Sequence, residues 1–351
     1  MVDLSVSLCG AKLKNPIVAA SGEATLTLEG MKRAVDAGAG AVVAKSTNES
    51  RRAAEQLSSS RYVVLDSAWR PDPTAAASRS FSLYNRSGLV QMPFEEWLEL
   101  LRRADEYARA RDCLLVGSVL VADPTEAGRR VQAMASLGLR MVEVNLGTPH
   151  GQEINDPTAL RSERDAQAVE QTVREVAGKV SIPVLVKLTA QASDVVDLAK
   201  AAVAGGAAGV ALTTRYLGFL PDIETGRPLL GTFGGIGGPW ALPLALRWVA
   251  KVHQSMPDLP IAGSNGALDG EDAVRFLMSG ATAVQYCTAV LVRGYAALTE
   301  AVAGLEAYCQ RKGVAAAREL TGLAVRNAAG YAEQPSGGPF DPVSHFPALL
   351  G

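Results

Sequence analysis

No two of the four cysteines, Cys9, Cys113, Cys287 and Cys309, stand close enough in sequence to make a C-x-x-C pair or another metal-ligand spacing. This argues against an iron–sulfur cluster and for a reducing compartment, so the expected location is cytoplasmic. An excess of one charge is also missing: 34 Lys and Arg face 36 Asp and Glu, a formal net charge of -2. Even the most charged stretch, "LRRADEYARARD" at residues 101–112, mixes signs as a solvated helix face does, and nucleic acid is not an expected partner. The opening "MVDLSVSLCGAKLKNP" has no basic segment followed by an apolar one, and no long apolar run follows. Neither a signal peptide nor a membrane anchor is expected, and no membrane partner.

What the chain does have is a sizeable core and a rhythm. With 48% hydrophobic residues over 351 positions it can bury a large interior. Short apolar runs alternate with stretches of helical period. The runs are "PIVAA" (16–20), "AVVAK" (41–45), "CLLVGSVL" (113–120), "MVEVNL" (141–146), "PVLVKL" (183–188), "GVALTT" (209–214), "PIAGS" (260–264) and "AVQYC" (283–287). After the third run, Asp123 suits a helix N-cap, Pro124 the first helical position and Gly138 the end. Wholly apolar strands separated by helices are what a covered parallel sheet requires. Eight such units fit a closed (β/α)8 TIM barrel, of α/β class, better than an open doubly wound sheet. Residues 1–312 are expected to form the barrel. Residues 313–351 are expected to add one helix over "GVAAARELTGLAVRNAAG" and an irregular tail within the same domain.

Three segments interrupt the rhythm, at about 46–93, 148–164 and 216–238. All follow strands, so they are loop insertions on the C-terminal face, where barrel enzymes build their sites.

Polar residues end the apolar runs: Lys45, Asn145, Lys187, Thr213 with Thr214, and Ser264 with Asn265. A lysine in an apolar run is costly unless paired. Each could snorkel to solvent or pair with a core carboxylate such as Glu143; two at equivalent strand ends also suit a shared anionic or electron-rich ligand. Late in the chain, "FGGIGG" (233–238), "GSNG" (263–266) and the "CTA" after the last strand place glycine loops and helix starts where barrels cradle phosphate.

These stretches resemble a family, the class 1 dihydroorotate dehydrogenases and, more closely, the flavin-binding barrel domain of dihydropyrimidine dehydrogenase. The similarity spans about residues 4–312 and is carried by "KLKNPIVAAS", "AVVAKST", "LYNRSG", "VEVNLGTPHG", "VLVKLT", "FGGIGGPWALPLALRWV" and "PIAGSNGALDGEDAVRFLMSGATAVQYCTAVL". The resemblance implies FMN across the barrel mouth. Ala20 and Ser21 match a flavin contact, Lys45 the lysine near the flavin's reactive edge, and Asn145 and Lys187 residues that hold its polar edge. Thr213 and Gly235 also match, while Ser264, Asn265, Gly266, Cys287 and Thr288 match the phosphate cradle.

On the substrate side, Asn85 and Asn145 match family residues that reach the substrate. Where the family has Asn-Thr, this chain has Thr214 and Arg215. The arginine could clamp a carboxylate or point to solvent. Thr148 stands where the related enzymes carry a catalytic cysteine, and a threonine hydroxyl is a far weaker acid or base. His150 could relay the proton or only orient the loop.

The expected function is an FMN-dependent oxidoreductase moving hydride between the flavin and a C–C or C=C bond beside a carbonyl or amide. Thr148, Lys45 and His150 are the candidate catalytic residues. True dihydroorotate dehydrogenase activity is one alternative, and FMN binding with non-redox or oxygen-dependent chemistry a second. A flavin-free phosphate-binding barrel, with Lys187 as a Schiff base, is a third. A small-molecule substrate, a separate electron-transfer partner and a homodimer are the expected associations.

Overall fold

The structure is a computed structural model that describes residues 2–147, 165–334 and 345. Its strands are β1 (Val6–Leu8), β2 (Ala11–Leu13), β3 (Ile17–Ala19), β4 (Ala41–Val43), β5 (Arg61–Leu65), β6 (Ser82–Arg86), β7 (Leu114–Leu120), β8 (Val142–Asn145), β9 (Val184–Leu188), β10 (Gly209–Leu212), β11 (Tyr216–Gly218), β12 (Gly234–Gly237), β13 (Ile261–Ser264) and β14 (Ala283–Tyr286). Eight of them close into a ring in the order β3-β4-β7-β8-β9-β10-β13-β14. All eight apolar runs are the barrel strands, each a residue or more shorter at an end than its run.

Side chains alternate between two environments because a strand has a period of two. Val42, Leu115, Val144 and Val186 face outward and pack under the helices. Val43, Val116, Met141, Leu185 and Ala262 face inward, where Leu8 and Leu13 of the β1–β2 hairpin join them. That hairpin, unforeseen in the sequence, packs its apolar side chains into the interior. At the other end the inward positions turn polar.

The helices start where short polar side chains satisfy free backbone N–H groups. Asp123 accepts from Glu126 N at 2.9 Å ahead of the helix Pro124–Ser136, with Pro124 in the first turn. Asp165, Asp194 and Asp269 cap three later helices in the same way. Gly138, at φ +91°, then turns the chain toward β8.

Two of the insertions are more than loops. Strands β5 and β6 from the first, with β11 and β12 from the third, form a four-stranded antiparallel sheet in the order β11-β12-β6-β5. Leu65, Tyr84 and Leu230 make a small core of its own. Arg79 ties the first insertion to the barrel, donating to Asp272 at 2.8 Å and also bonding Asp269. The second insertion, with Thr148 and His150, lies outside the described residues.

The single helix expected after Lys312 is instead a short 3-10 turn, Ala317–Leu320, and one helical turn, Leu323–Arg326. Gly322, at φ +72°, breaks the run. Ala317 and Leu320 pack on Val274 and Leu277, and Asp3 N donates to Ala315 O at 2.9 Å.

Candidate active site

The C-terminal ends of the barrel strands and the underside of the added sheet enclose one open cavity, about 1030 Å³ of empty space including its mouth. Its walls hold Ser21, Lys45, Asn85, Asn145, Lys187, Thr213, Thr214, Arg215, Ser264, Asn265, Gly266, Cys287 and Thr288. With Leu120 at the end of β7, the fold thus gathers residues from all eight barrel strand ends, and Asn85 comes from the added sheet. Ala20 and Gly235 are not among the wall residues. Ala20 N is spent on Tyr286 O at 3.0 Å. A Cβ at Gly235 would lie 2.2 Å from Arg215 Nε, so this glycine makes room for the arginine, and Gly237 reaches the wall instead.

The two lysines are held differently. Lys45 Nζ donates to Glu23 Oε1 at 2.7 Å and to Ser87 Oγ at 3.3 Å, and the Ser87 hydroxyl also bonds Glu23. Burial works to raise the Glu23 carboxyl, but the Lys45 charge and the hydrogen bonds from Lys45 and Ser87 hold it at about 2. Glu23 therefore stays ionised, and the Lys45 charge is largely compensated. Burial and the same Glu23 charge push the Tyr62 phenol up. Lys187 Nζ instead donates to Gln285 Oε1 at 2.6 Å, and Gln285 Nε2 donates to Glu143 Oε2 at 2.6 Å. Lys187 stands 3.7 Å from Glu143 Oε1. Neither lysine snorkels: both are over nine-tenths buried.

The remaining polar groups fix the geometry. Asn145 Oδ1 accepts from Gly147 N at 2.9 Å, which orients its amide at the end of β8. Thr214 Oγ1 donates to Gly147 O at 3.0 Å, and a Cβ on Gly147 would meet Thr214 Cγ2 at 2.2 Å. The Thr214 hydroxyl is therefore used to hold the loop after β8. Arg215 Nη1 donates to Asn85 Oδ1 at 2.6 Å, which turns the arginine to the cavity wall rather than to solvent. The hydroxyls of Ser21 and Ser46 lie 3.1 Å apart, and those of Ser46 and Ser118 2.8 Å apart, forming a chain from the cavity wall into the buried part of β7.

Asn265, at φ +80°, and Gly266, at φ +98°, turn in succession after β13. A Cβ on Gly266 would lie 2.5 Å from Leu242 N, so the backbone here runs hard against the next helix. On the same cavity wall, Cys287 precedes the helix Thr288–Arg293, and its thiol donates to Ser21 O at 3.8 Å rather than to the helix. Burial, with the Glu23 charge, pushes the Cys287 thiol up, which keeps it neutral. Thr213 Oγ1 is buried with no hydrogen-bond partner among the described residues. Glu23, Ser87 and Gln285 went unread in the sequence. Gln285 had a signal, a polar residue inside an apolar strand; Glu23 and Ser87, in turns, had none.

A closed parallel barrel with two buried lysines and a backbone-lined corner at its C-terminal mouth defines an enzyme built for a phosphate-bearing, electron-rich cofactor. Comparison with known proteins gives the family. Residues 3–308 match the family described as dihydroorotate dehydrogenase. The catalytic subunit of dihydroorotate dehydrogenase B (NAD(+)) from Pyrococcus abyssi is 32% identical over 325 residues, covering 92% of this chain and 99% of the relative. The protein of the same name from Methanothermobacter thermautotrophicus is 31% identical over 326 residues, covering 92% and 98%. A crystal structure of the Eimeria tenella dihydroorotate dehydrogenase with ferulenol superposes with a TM-score of 0.74 at 16% identity, covering 92% of this chain and 89% of that one, and shares the fold. The chain belongs to the dihydroorotate dehydrogenase family, flavin-dependent oxidoreductases that bind FMN and act on a CH–CH bond.

The residues present fit FMN. The orphaned Thr213 hydroxyl offers a hydrogen bond to a polar ring edge. The Asn265–Gly266 turn and the start of the helix Thr288–Arg293 line the same cavity, and backbone N–H groups at such a corner suit phosphate oxygens. Among the described residues, no group of acidic, histidine and cysteine side chains is arranged to hold a metal ion, and no helix is long and apolar enough to cross a membrane.

Proposed function

We propose that this chain oxidises dihydroorotate, with Arg215, steadied by Asn85, receiving the substrate carboxylate. The observation that carries this reading is the 2.6 Å Arg215–Asn85 bond on the cavity wall, because a guanidinium held in place is suited to a planar carboxylate. The names of the curated relatives support the same substrate.

FMN, when bound, would supply the redox chemistry as acceptor of the hydride from the CH–CH bond. The chain's own residues orient and charge the site. Lys187 presents its ammonium to the cavity, which favours negative charge on the reduced ring. Lys45, neutralised by Glu23, supplies a directed hydrogen bond more than a net charge. Asn145 lies between the cofactor and substrate halves of the mouth, its carbonyl held by Gly147. Gly237, Asn265, Gly266, Cys287 and Thr288, which line the cavity, would hold the phosphate. Thr148 takes the proton from substrate carbon, with His150 as its relay; both lie outside the described residues. Electrons leave through a separate subunit, as the relatives' designation "catalytic subunit" with NAD(+) suggests, and the chain acts as a cytoplasmic homodimer.

A second reading has a specific basis. Thr148 in place of cysteine, and Thr214 and Arg215 in place of a family Asn-Thr pair, favour a different carboxylate-bearing substrate with a CH–CH bond beside a carbonyl. Anaerobic addition of dihydroorotate to the purified yellow protein separates the two. Bleaching of the flavin band, faster in Thr148→Cys, is expected. Flavin that stays oxidised in both proteins overturns the dihydroorotate reading and leaves the second.

A further inference from the structure

Glu143 lies beneath the cavity, wholly buried, with Oε1 lacking any hydrogen-bond partner among the described residues. A carboxylate in that position is costly, and among the described residues the cation that meets the cost is Lys187. Yet the two do not make a close ion pair. Their separation is 3.7 Å, against 2.7 Å for Lys45 and Glu23 at the rim.

Gln285 accounts for the difference. It stands on β14, four strands around the ring from β8 and so on the opposite side of the barrel. From there its carboxamide accepts from Lys187 and donates to Glu143, both at 2.6 Å. The layer below is apolar, made by Leu185, Ala211, Ala262 and Ala283, so these charges act through a medium of low dielectric constant. Lys187 and Gln285 reach the cavity wall, and Glu143 does not.

We propose that Glu143 and Gln285 are positioning residues that set how much of the Lys187 charge reaches the cofactor. Glu143 subtracts from that charge, and Gln285 limits the subtraction by keeping the ammonium from closing on the carboxylate. The pair holds the FMN potential below the value that Lys187 alone would give, because a cation beside the ring favours its reduced, more negative form. This rests on Lys187 facing FMN, as proposed above.

The test is the midpoint potential of FMN bound to the full chain, with the FMN dissociation constant measured on the same samples. Glu143→Gln removes the subtracting charge and is expected to favour reduced over oxidised FMN by about tenfold, a rise of about 30 mV for a two-electron couple. Gln285→Glu adds a negative charge beside Lys187 and is expected to shift the ratio about tenfold the other way. A purely structural role would move both variants in the same direction or neither. Same-sign shifts, or shifts within twofold of wild type, overturn the proposal. If only one variant folds, the sign of its shift decides. If neither folds, the trio serves the barrel core and the proposal is likewise overturned. A wild-type chain that takes up no FMN removes the cofactor reading itself; flavin bound with unmoved variants removes only this one.

Discussion

Thr213 and Glu23 show how single side chains serve binding at the expense of the free protein, or the reverse. Thr213 Oγ1 is buried without a partner, and an unmet buried hydroxyl costs about 1–3 kcal/mol. Thr213→Val is therefore expected to leave the flavin-free protein as stable or stabler by about 1 kcal/mol, while weakening FMN binding roughly tenfold. Melting curves with and without FMN would show the two signs. Glu23 has the opposite character. Its carboxyl sits at about 2 in the folded protein against an ordinary 4.5, so folding favours its ionised form. That contribution, on the order of 3 kcal/mol, is complete above pH 4.5 and is lost as pH falls toward about 2. Urea unfolding across this range should show a flatter acid limb for Glu23→Gln; an unchanged slope would mean the Lys45 pair adds nothing. At this scale the sequence showed the polar residues that end five of the eight barrel strands. It also offered Glu143 as a possible lysine partner. Lys45 met Glu23 instead, across 22 residues and a turn, a contact that no local pattern encodes.

Among the elements, the added sheet is the one least visible beforehand. Strands β6 and β12 pair across the long sequence gap between two insertions, Asn85 opposite Gly235, and neither the mixed SLYNR nor the glycine-rich GGIG carries the apolar run by which the barrel strands are read. The pairing matters because it brings Asn85 within 2.6 Å of Arg215, 130 residues away. The Arg79 clasp on Asp272 anchors the first insertion beside this sheet, and Asp272 is fully buried. Arg79→Ala should cost about 2 kcal/mol, from lost charge-assisted bonds to a buried carboxylate. Arg102→Ala, which breaks only exposed pairs with Glu99 and Glu106 on one helix, should cost no more than about 1 kcal/mol. Equal losses in denaturant titrations would mean the clasp is an ordinary surface pair.

For the whole molecule, the ring has no free strand edge, and the β1–β2 hairpin, the helices and the interior pack as one body. A ligand seated across the ring's mouth stabilises all eight strands together. FMN at a hundred times its dissociation constant should add about 2.7 kcal/mol to stability, read as a higher midpoint of a single unfolding transition. A midpoint that does not move with FMN concentration would place the flavin elsewhere or nowhere.

The sequence by itself determined the barrel, because burial of a parallel strand on both faces and the covering helices are recorded in local periodicity, residue by residue. It also placed most of the cavity's polar residues, since each stands at the end of a strand whose direction the alternation fixes. Only the tertiary structure decided which of them meet. Closing the ring carries Gln285 across the interior to Lys187 and Glu143, and folding back the insertions sets Asn85 on Arg215 and Ser87 on Glu23. Those contacts depend on distances between strands far apart in the chain, which periodicity does not contain.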